Sequence, residues 1–447
     1  MTNRSVAAIM LRLAPLSLIA RGGEALLPVL LAAWFGRSQA TDVYWFCWAC
    51  FTLAGSLLFS AYQDSALIPI VVHERTAAPG RLPALVAALT GNTLVYGSAL
   101  AALVALATLG GLRLRYAGAD LTLALQLLPA LALGLVVLSL RTCYGAVLNA
   151  EHAFAISPIA SALAMASNLG LVAMARGALG VRAVPLGALA GELVGTTALA
   201  LALNRRGLWA RPTLARPEPL ERFRRLVSSE VAGAAITRLN PVIDQWVAGL
   251  AGIVGGGTLL RYAGDLALVP TSILQATLLS VLVSRLAAHH ADGRCDRLAA
   301  TLRGTLLAVT GYLVAGSLVV YLCRGPLTRL VFLHGAMDPA AVAEMTALLP
   351  WYLVGVLPFG LLLVLARAHV ALQNSRIMLA MGVLNAVSNL VLDVALVRPL
   401  GLRGVALATS ITHAVVALAF WWRLRPRLGA YDANRAGGAP RSPAGPQ

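Results

Sequence analysis

The 447-residue sequence contains no lysine; all 35 of its basic residues are arginine. Without lysine there is neither a Schiff-base amine nor the Gly-Lys-Ser/Thr ending of a phosphate-binding loop, so the chain is not its own ATP motor. Charge of either sign is scarce, at 12% of residues, against about a quarter in soluble domains. The five cysteines, 47, 50, 143, 295 and 323, lie in apolar runs or in cytoplasmic or helix-end positions. The pair Cys47 and Cys50 falls inside an apolar span, so these are small core residues rather than disulfides or zinc ligands. The seven histidines show no HExxH or other ligand spacing, and His289-His290 reads as a solvated loop pair. No nucleophile, metal or dinucleotide motif is present, so neither an enzyme nor a cofactor is expected.

What is abundant is apolar: 59% hydrophobic residues and a mean hydropathy of +0.79. That composition belongs to an integral membrane protein, and this length holds on the order of a dozen spans of roughly 20 residues with no room for a large soluble domain. Apolar stretches bounded by Arg, Gly, Pro or Asp predict twelve helices, near 6–34, 42–72, 82–110, 121–149, 156–176, 181–203, 224–252, 255–288, 299–322, 341–370, 375–397 and 402–424. The first is expected to be a retained helix, since no small-residue cleavage site follows it. The net charge of +17 would suggest nucleic acid on a soluble chain, but here it reads as topology. With the N-terminus inside, 21 arginines fall on the cytoplasmic face, nine on the opposite face and five within spans. The excess predicts both termini in the cytoplasm.

The segment NRRGLWARPTLARPEPLERFRR, at 204–225, is the only long, polar, proline-containing connection between spans. It predicts a six-helix lobe over 1–203, a cytoplasmic linker over 204–223 and a second six-helix lobe over 224–425, with a disordered tail over 426–447. A weak internal echo, WFGRSQATDVYW in one half and LAGIVGGGTLLRYAG in the other, puts a glycine turn after the first helix of each. The expected architecture is an all-α polytopic membrane protein, two lobes related by a pseudo-two-fold around a central cavity, as in many transporters.

Ionisable groups inside spans cost about 2.5 to 3.5 kcal/mol each on insertion scales and tend to face a water-filled cavity or a partner. They are therefore the candidate site. In the first helix, Arg21-Gly22-Gly23-Glu24 lies near mid-membrane by the rise per residue. Arg21 either pairs with Glu24 on the same face or contacts an anionic substrate, for which its planar fork suits a phosphate. Asp64, within SAYQDSALIP, is a cavity residue or a capped kink before Pro69. Asp244 follows Asn240-Pro241 in an otherwise uncharged run, and either it or Asp64 is a candidate for a coupling cation. Arg261 and Asp265, four apart, either line the cavity or pair along one helix face. Arg141, Glu192, Arg238, Arg367 and Asp393 lie nearer span ends, where snorkelling or inter-helix pairing accounts for them.

The order of these features resembles a known family. AWFGRSQATDVYWF followed by SALIPIV, then IDQWVAGLAGIVGGGTLLRYAGDLALVPTSILQATLLSVLVSRL, is similar to the MurJ/MviN-type lipid II flippases of the multidrug/oligosaccharidyl-lipid/polysaccharide exporter superfamily. GPLTRLVFLHGAMD looks like that family's short periplasmic segment. ARAHVALQNSRIMLAMGVLNAVSNLVLDVALVRPLGLRGVALATSI looks like its late helices, with Asn385, Gly401, Gly404 and Ala406 in the expected places. The resemblance covers about 5–424. It implies that Arg21 is one of the family's first-helix cavity arginines, that Asp42 and Tyr44 belong to the periplasmic turn, and that Asp244 is the acidic residue of the seventh helix.

The departures are specific. Leu27-Pro28 stands where the family has an Arg-Asp pair, the second-helix arginines fall at Gly55 and Ser56, and the family's Asp-Arg after Tyr-Ala is Gly264-Asp265. Flippases of this type usually carry two more spans forming a groove for the lipid tail. The implied function is an alternating-access flippase for a polyprenyl-diphosphate-linked saccharide, either lipid II or another lipid-linked unit. It would move this substrate from the cytoplasmic to the periplasmic leaflet of a bacterial inner membrane, with the membrane potential or a coupling ion as drive. Membrane lipids are the other partner; nucleic acid is not one. Two alternatives stay open. A multidrug or cation antiporter of the same superfamily would use Glu24, Asp64 and Asp244 as a compact acidic site. A non-transporting scaffold would have no cavity, and a polytopic glycosyltransferase would need larger loops.

Overall fold

The computed structural model describes residues 22–55, 57–58, 67–224, 236, 239–277, 279–292, 294–372, 374 and 376–436. Among these there is no strand. The helices fall on the predicted spans: α1 Gly22–Phe35, α2 Gln39–Gly55, α3 Ile68–Ala77, α4 Leu82–Arg113, α5 Ala119–Ala150, α6 Ile156–Leu179 and α7 Ala183–Arg205. A short α8 at 218–224 precedes α9 Asn240–Ala248, α10 Gly256–Ala267, α11 Val269–Thr277, α12 Leu279–Ala291, α13 Cys295–Phe332, α14 Pro339–Ala371, α15 Arg376–Leu400 and α16 Leu402–Ala436.

Among the described residues, seven helical stretches are long and apolar enough to cross a membrane, and one of them, Ile156–Arg205, is the α6–α7 pair folded at a turn. Large apolar side chains point outward along them, Leu106 at 68% exposure and Leu322 at 67%. In water that surface would drive aggregation; in a bilayer it is the ordinary lipid-facing surface.

Two predicted spans are broken. The second, 42–72, is α2 and α3: α2 ends at Gly55, and Pro69, which fits only the first turn of a helix, lies at the start of α3. The eighth, 255–288, is α10, α11 and α12. Among the described residues its break falls before Pro270, which lacks the amide hydrogen a continuous helix needs. α13 is longer than expected, 38 residues or about 57 Å, so it projects beyond the roughly 30 Å hydrocarbon core. α16 continues as helix to Ala436, past residue 426 where composition places the start of the tail.

The chain forms two compact units. One runs as far as Leu259 and takes in Leu330–Val342; the other is Leu260–Arg329 with the chain from Ala343 onward. The division therefore falls inside α10, and the 204–223 linker belongs wholly to the first unit. There the linker runs along α4: Thr213 N donates to Ala87 O (3.0 Å), Asn92 Nδ2 to Ala215 O (3.1 Å) and Arg216 Nη2 to the Tyr96 hydroxyl (2.8 Å). Gly91 is required where it stands, because a Cβ would collide with the Thr213 carbonyl. Leu220 and Phe223 of α8 are buried in the core built by α3, α4, α5 and α7. The second unit has its own core, among them Leu313, Leu349, Val356, Val364 and Leu424.

Candidate functional site

Four connections meet in the first unit: the α1–α2 turn, the α4–α5 and α13–α14 connections, and the α9–α10 hairpin. The arginine count predicts this end to be periplasmic. α2 begins with a reciprocal cap in which Ser38 Oγ accepts from Thr41 N (3.2 Å) and Thr41 Oγ1 accepts from Ser38 N (2.9 Å). That cap fixes the next residue, Asp42, which is 2% exposed. Asp42 Oδ1 accepts from the backbone N of Thr258 (2.8 Å) and from its hydroxyl (2.8 Å), which also lies 3.0 Å from Thr41 Oγ1. Thr258 is in the first turn of α10, where amide hydrogens have no partner within the helix and the dipole favours a negative charge. A carboxylate from α2 thus caps a helix more than two hundred residues away.

The hairpin is shaped to receive it. Gly252 and Gly255 take φ of +69° and +75°, conformations that glycine adopts without strain. Gln245 Nε2 donates to Gly257 O (3.0 Å) across the turn. On the other side, Ala336 N donates to Ala33 O (2.7 Å), and Asp338 both caps α14 through Ala341 N (2.7 Å) and pairs with Arg37 Nε (3.3 Å).

Of the residues singled out by sequence, Arg21 and Asp64 lie outside the described residues. Glu24 is on α1 and exposed, and Asp244 is on α9 and half-buried. Arg261 Nε and Asp265 Oδ2 meet at 2.9 Å as an i, i+4 pair on α10, each about a third exposed (37%). The structure therefore brings these last two together along one helix face.

Three polar groups carry more than the sequence suggested. Asp42 belongs to the periplasmic turn in the sequence only by resemblance, and its partner Thr258 carries no signal there, because a threonine in an apolar run looks like any other. Arg141 on α5 does not snorkel but makes the inter-helix pair that was its other expected account: its Nε donates to Glu192 Oε2 on α7 (2.6 Å) and its Nη1 to Ser161 Oγ on α6 (3.0 Å), tying three helices together. Asp393 does not snorkel either; it is fully buried on α15 and accepts from Asn389 Nδ2 (2.8 Å) one turn away. The Asn-x-x-x-Asp spacing inside an apolar run was the available signal. Among the described residues, no group of three or more His, Cys, Asp or Glu could hold a metal ion.

Known proteins resemble the chain throughout. A family model, lipid II flippase MurJ, matches residues 31–437. The probable lipid II flippase MurJ of Vibrio cholerae is 26% identical over 234 residues, 52% of this chain and 44% of that protein. The lipid II flippase MurJ of Thermosipho africanus is 24% identical over 162 residues, 36% of this chain and 32% of that protein. The matches thus span less than half the length of these curated relatives. Among solved structures, a lipid II flippase MurJ in an inward closed conformation superposes with a TM-score of 0.77 at 17% identity, covering 93% of this chain and 87% of that one. An inward-facing multidrug resistance MATE family transporter gives 0.77 at 14% identity, covering 93% and 96%; at such identities both likenesses show the fold. Polytopic, all-helical and matched from residue 31 to 437, the chain belongs to the lipid II flippase MurJ family.

Proposed function

We propose that the protein is an alternating-access flippase that carries a polyprenyl-diphosphate-linked saccharide from the cytoplasmic to the periplasmic leaflet of the inner membrane. The family match over 31–437 is the observation that carries this reading. The headgroup crosses through a polar cavity between two six-helix lobes, 1–203 and 224–425, while the polyprenyl tail stays in lipid, so the protein need not shield the whole substrate. Both termini face the cytoplasm, in keeping with the arginine bias.

In this reading Arg21 holds the diphosphate, with Glu24, Arg261 and Asp265 along the same path. Asp244 or Asp64 takes a coupling cation, and the membrane potential contributes about 2.3 kcal/mol per elementary charge per 100 mV. Asp42 is the closing contact on the periplasmic side. It holds the first turn of α10, a helix whose later turns belong to the second unit, so releasing one oxygen frees the start of that helix.

The test is translocation of a fluorescent polyprenyl-diphosphate saccharide in proteoliposomes. Arg21→Lys is expected to be impaired despite its charge, because a point ammonium cannot reproduce bidentate geometry, and Arg21→Ala is expected to be worse. If Arg21 only neutralises Glu24, Arg21→Ala would destabilise the protein, and Arg21→Ala with Glu24→Ala would restore it. Full activity of that double variant would overturn the substrate-binding role.

A further inference from the structure

The α9–α10 hairpin is held at both of its helix ends, and only one of these holds belongs to the α1–α2 turn. At the other, Arg115 from the α4–α5 connection donates from Nη1 to Gln245 O (2.9 Å) and lies 3.4 Å from Trp246 O. These carbonyls are in the last turn of α9, where the dipole is negative, and the Gly249 amide at the cap also reaches the Trp246 oxygen. The guanidinium is steadied from behind by the Tyr116 ring, 4.7 Å away. Tyr116 itself is 5% exposed, and burial pushes its phenol well above the usual range.

Gly249 follows α9 directly, and a Cβ there would collide with the Arg115 guanidinium; the glycine leaves the space that the arginine fills. A cation thus sits at the negative end of α9 and an anion, Asp42, at the positive end of α10, both reaching in from the first six helices. Thr258 holds only one oxygen of Asp42; the other is buried, where the Gly255 backbone amide and the positive charge of Arg115 both act on the carboxylate.

We infer that Arg115 is a positioning residue, the second half of a two-point electrostatic clamp that holds the hairpin in the periplasmically closed state and sets how readily it opens. This rests on the alternating-access reading, but the clamp is measurable without substrate. Helix-end charges and charge-assisted hydrogen bonds are modest and reversible, unlike close packing.

The experiment uses the full-length chain with its five cysteines replaced and one reporter, Val247→Cys, at a position that is fully buried. An impermeant maleimide is added outside intact cells. Arg115→Ala is expected to speed labelling about fivefold, the effect of losing one helix-end charge, with membrane abundance unchanged. Gly249→Ala, which displaces the guanidinium while keeping the arginine, is expected to do the same. Arg115→Lys should return labelling toward the parent rate. If Arg115→Ala lowers abundance or melting temperature while labelling stays at the parent rate, Arg115 is only a structural tie and the inference falls. It also falls if Gly249→Ala leaves labelling unchanged. Faster labelling in a protein that moves no lipid-linked saccharide would instead leave the clamp standing and remove the flippase reading.

Discussion

The α6–α7 seam and the grip on the α9–α10 hairpin are two ways of holding helices together, and they differ in kind. In the seam, Gly187, Gly191 and Gly195 recur every four residues on α7 and lie against Ala160, Ala164, Asn168 and Val172 of α6. A Cβ at Gly191 would collide with the Ala164 carbonyl, and one at Gly195 would come within 3.1 Å of Ala164 Cβ and 2.9 Å of Arg141 Cδ. Lipid tails are as apolar as the side chains, so such a pair is held by backbone proximity and dispersion, which have one good distance. At the hairpin the contacts are a few oriented hydrogen bonds at helix ends, which can be made and broken one at a time. The seam suits a body that moves as a whole; the grip, which also lies within the first unit, can be loosened without unpacking a helix.

The sharpest way to break this contrast is Gly191→Leu. Four added heavy atoms cannot fit against a backbone carbonyl, and overpacking of this sort costs about 1–3 kcal/mol or more. Folded protein in the membrane is expected to fall several-fold, measured by abundance and by melting in detergent, with no rise in periplasmic labelling per folded molecule. Normal abundance with faster labelling would place the switch in the seam instead.

Asp42→Ala comes next. It removes both hydrogen bonds to Thr258 and leaves the α10 terminus uncapped, a loss of about 1–3 kcal/mol. The expected result is translocation reduced about tenfold or more, with abundance close to parent because the seam and the two cores are untouched. Asp42→Asn keeps an acceptor oxygen and should fall between. Equal losses of abundance and activity would reduce Asp42 to a folding residue.

How much of this was legible depends on whether a feature repeats along the chain. The spans were, because twenty consecutive apolar residues leave a mark no other structure makes, and the glycine turns at Gly36 and Gly252 to Gly255 fell where the echo between halves put them. Leu268 and Pro270 show the limit: hydropathy runs through both, and only the missing amide of the proline divides α10 from α11. The seam was written in the sequence as Gly-x-x-x-Gly-x-x-x-Gly, but a search for charge passes over residues with no side chain. In the sequence Arg115 bears only on topology, since nothing local says that a loop arginine reaches a helix 130 positions away. Long-range caps of this kind join residues that share no periodicity, and only the fold brings them together.

The smallest expected effect separates two roles for Arg261 and Asp265. Their ion pair is an i, i+4 contact on one face of α10, each side chain about a third exposed (37%), and pairs of that sort are worth about 0.3–0.5 kcal/mol. If the pair only staples the helix, Asp265→Asn and Arg261→Gln should each change melting by a degree or two, and the double variant should cost no more than the two singles together. Translocation would then stay within about twofold of parent in all three. A substrate path predicts a different pattern. Arg261→Gln would lower translocation well beyond its effect on melting, and Asp265→Asn would raise substrate affinity by releasing the guanidinium to an anion. The double variant would behave like Arg261→Gln alone. Because α10 begins in one compact unit and ends in the other, the outcome decides whether this face serves the substrate or only stiffens the helix that Asp42 caps.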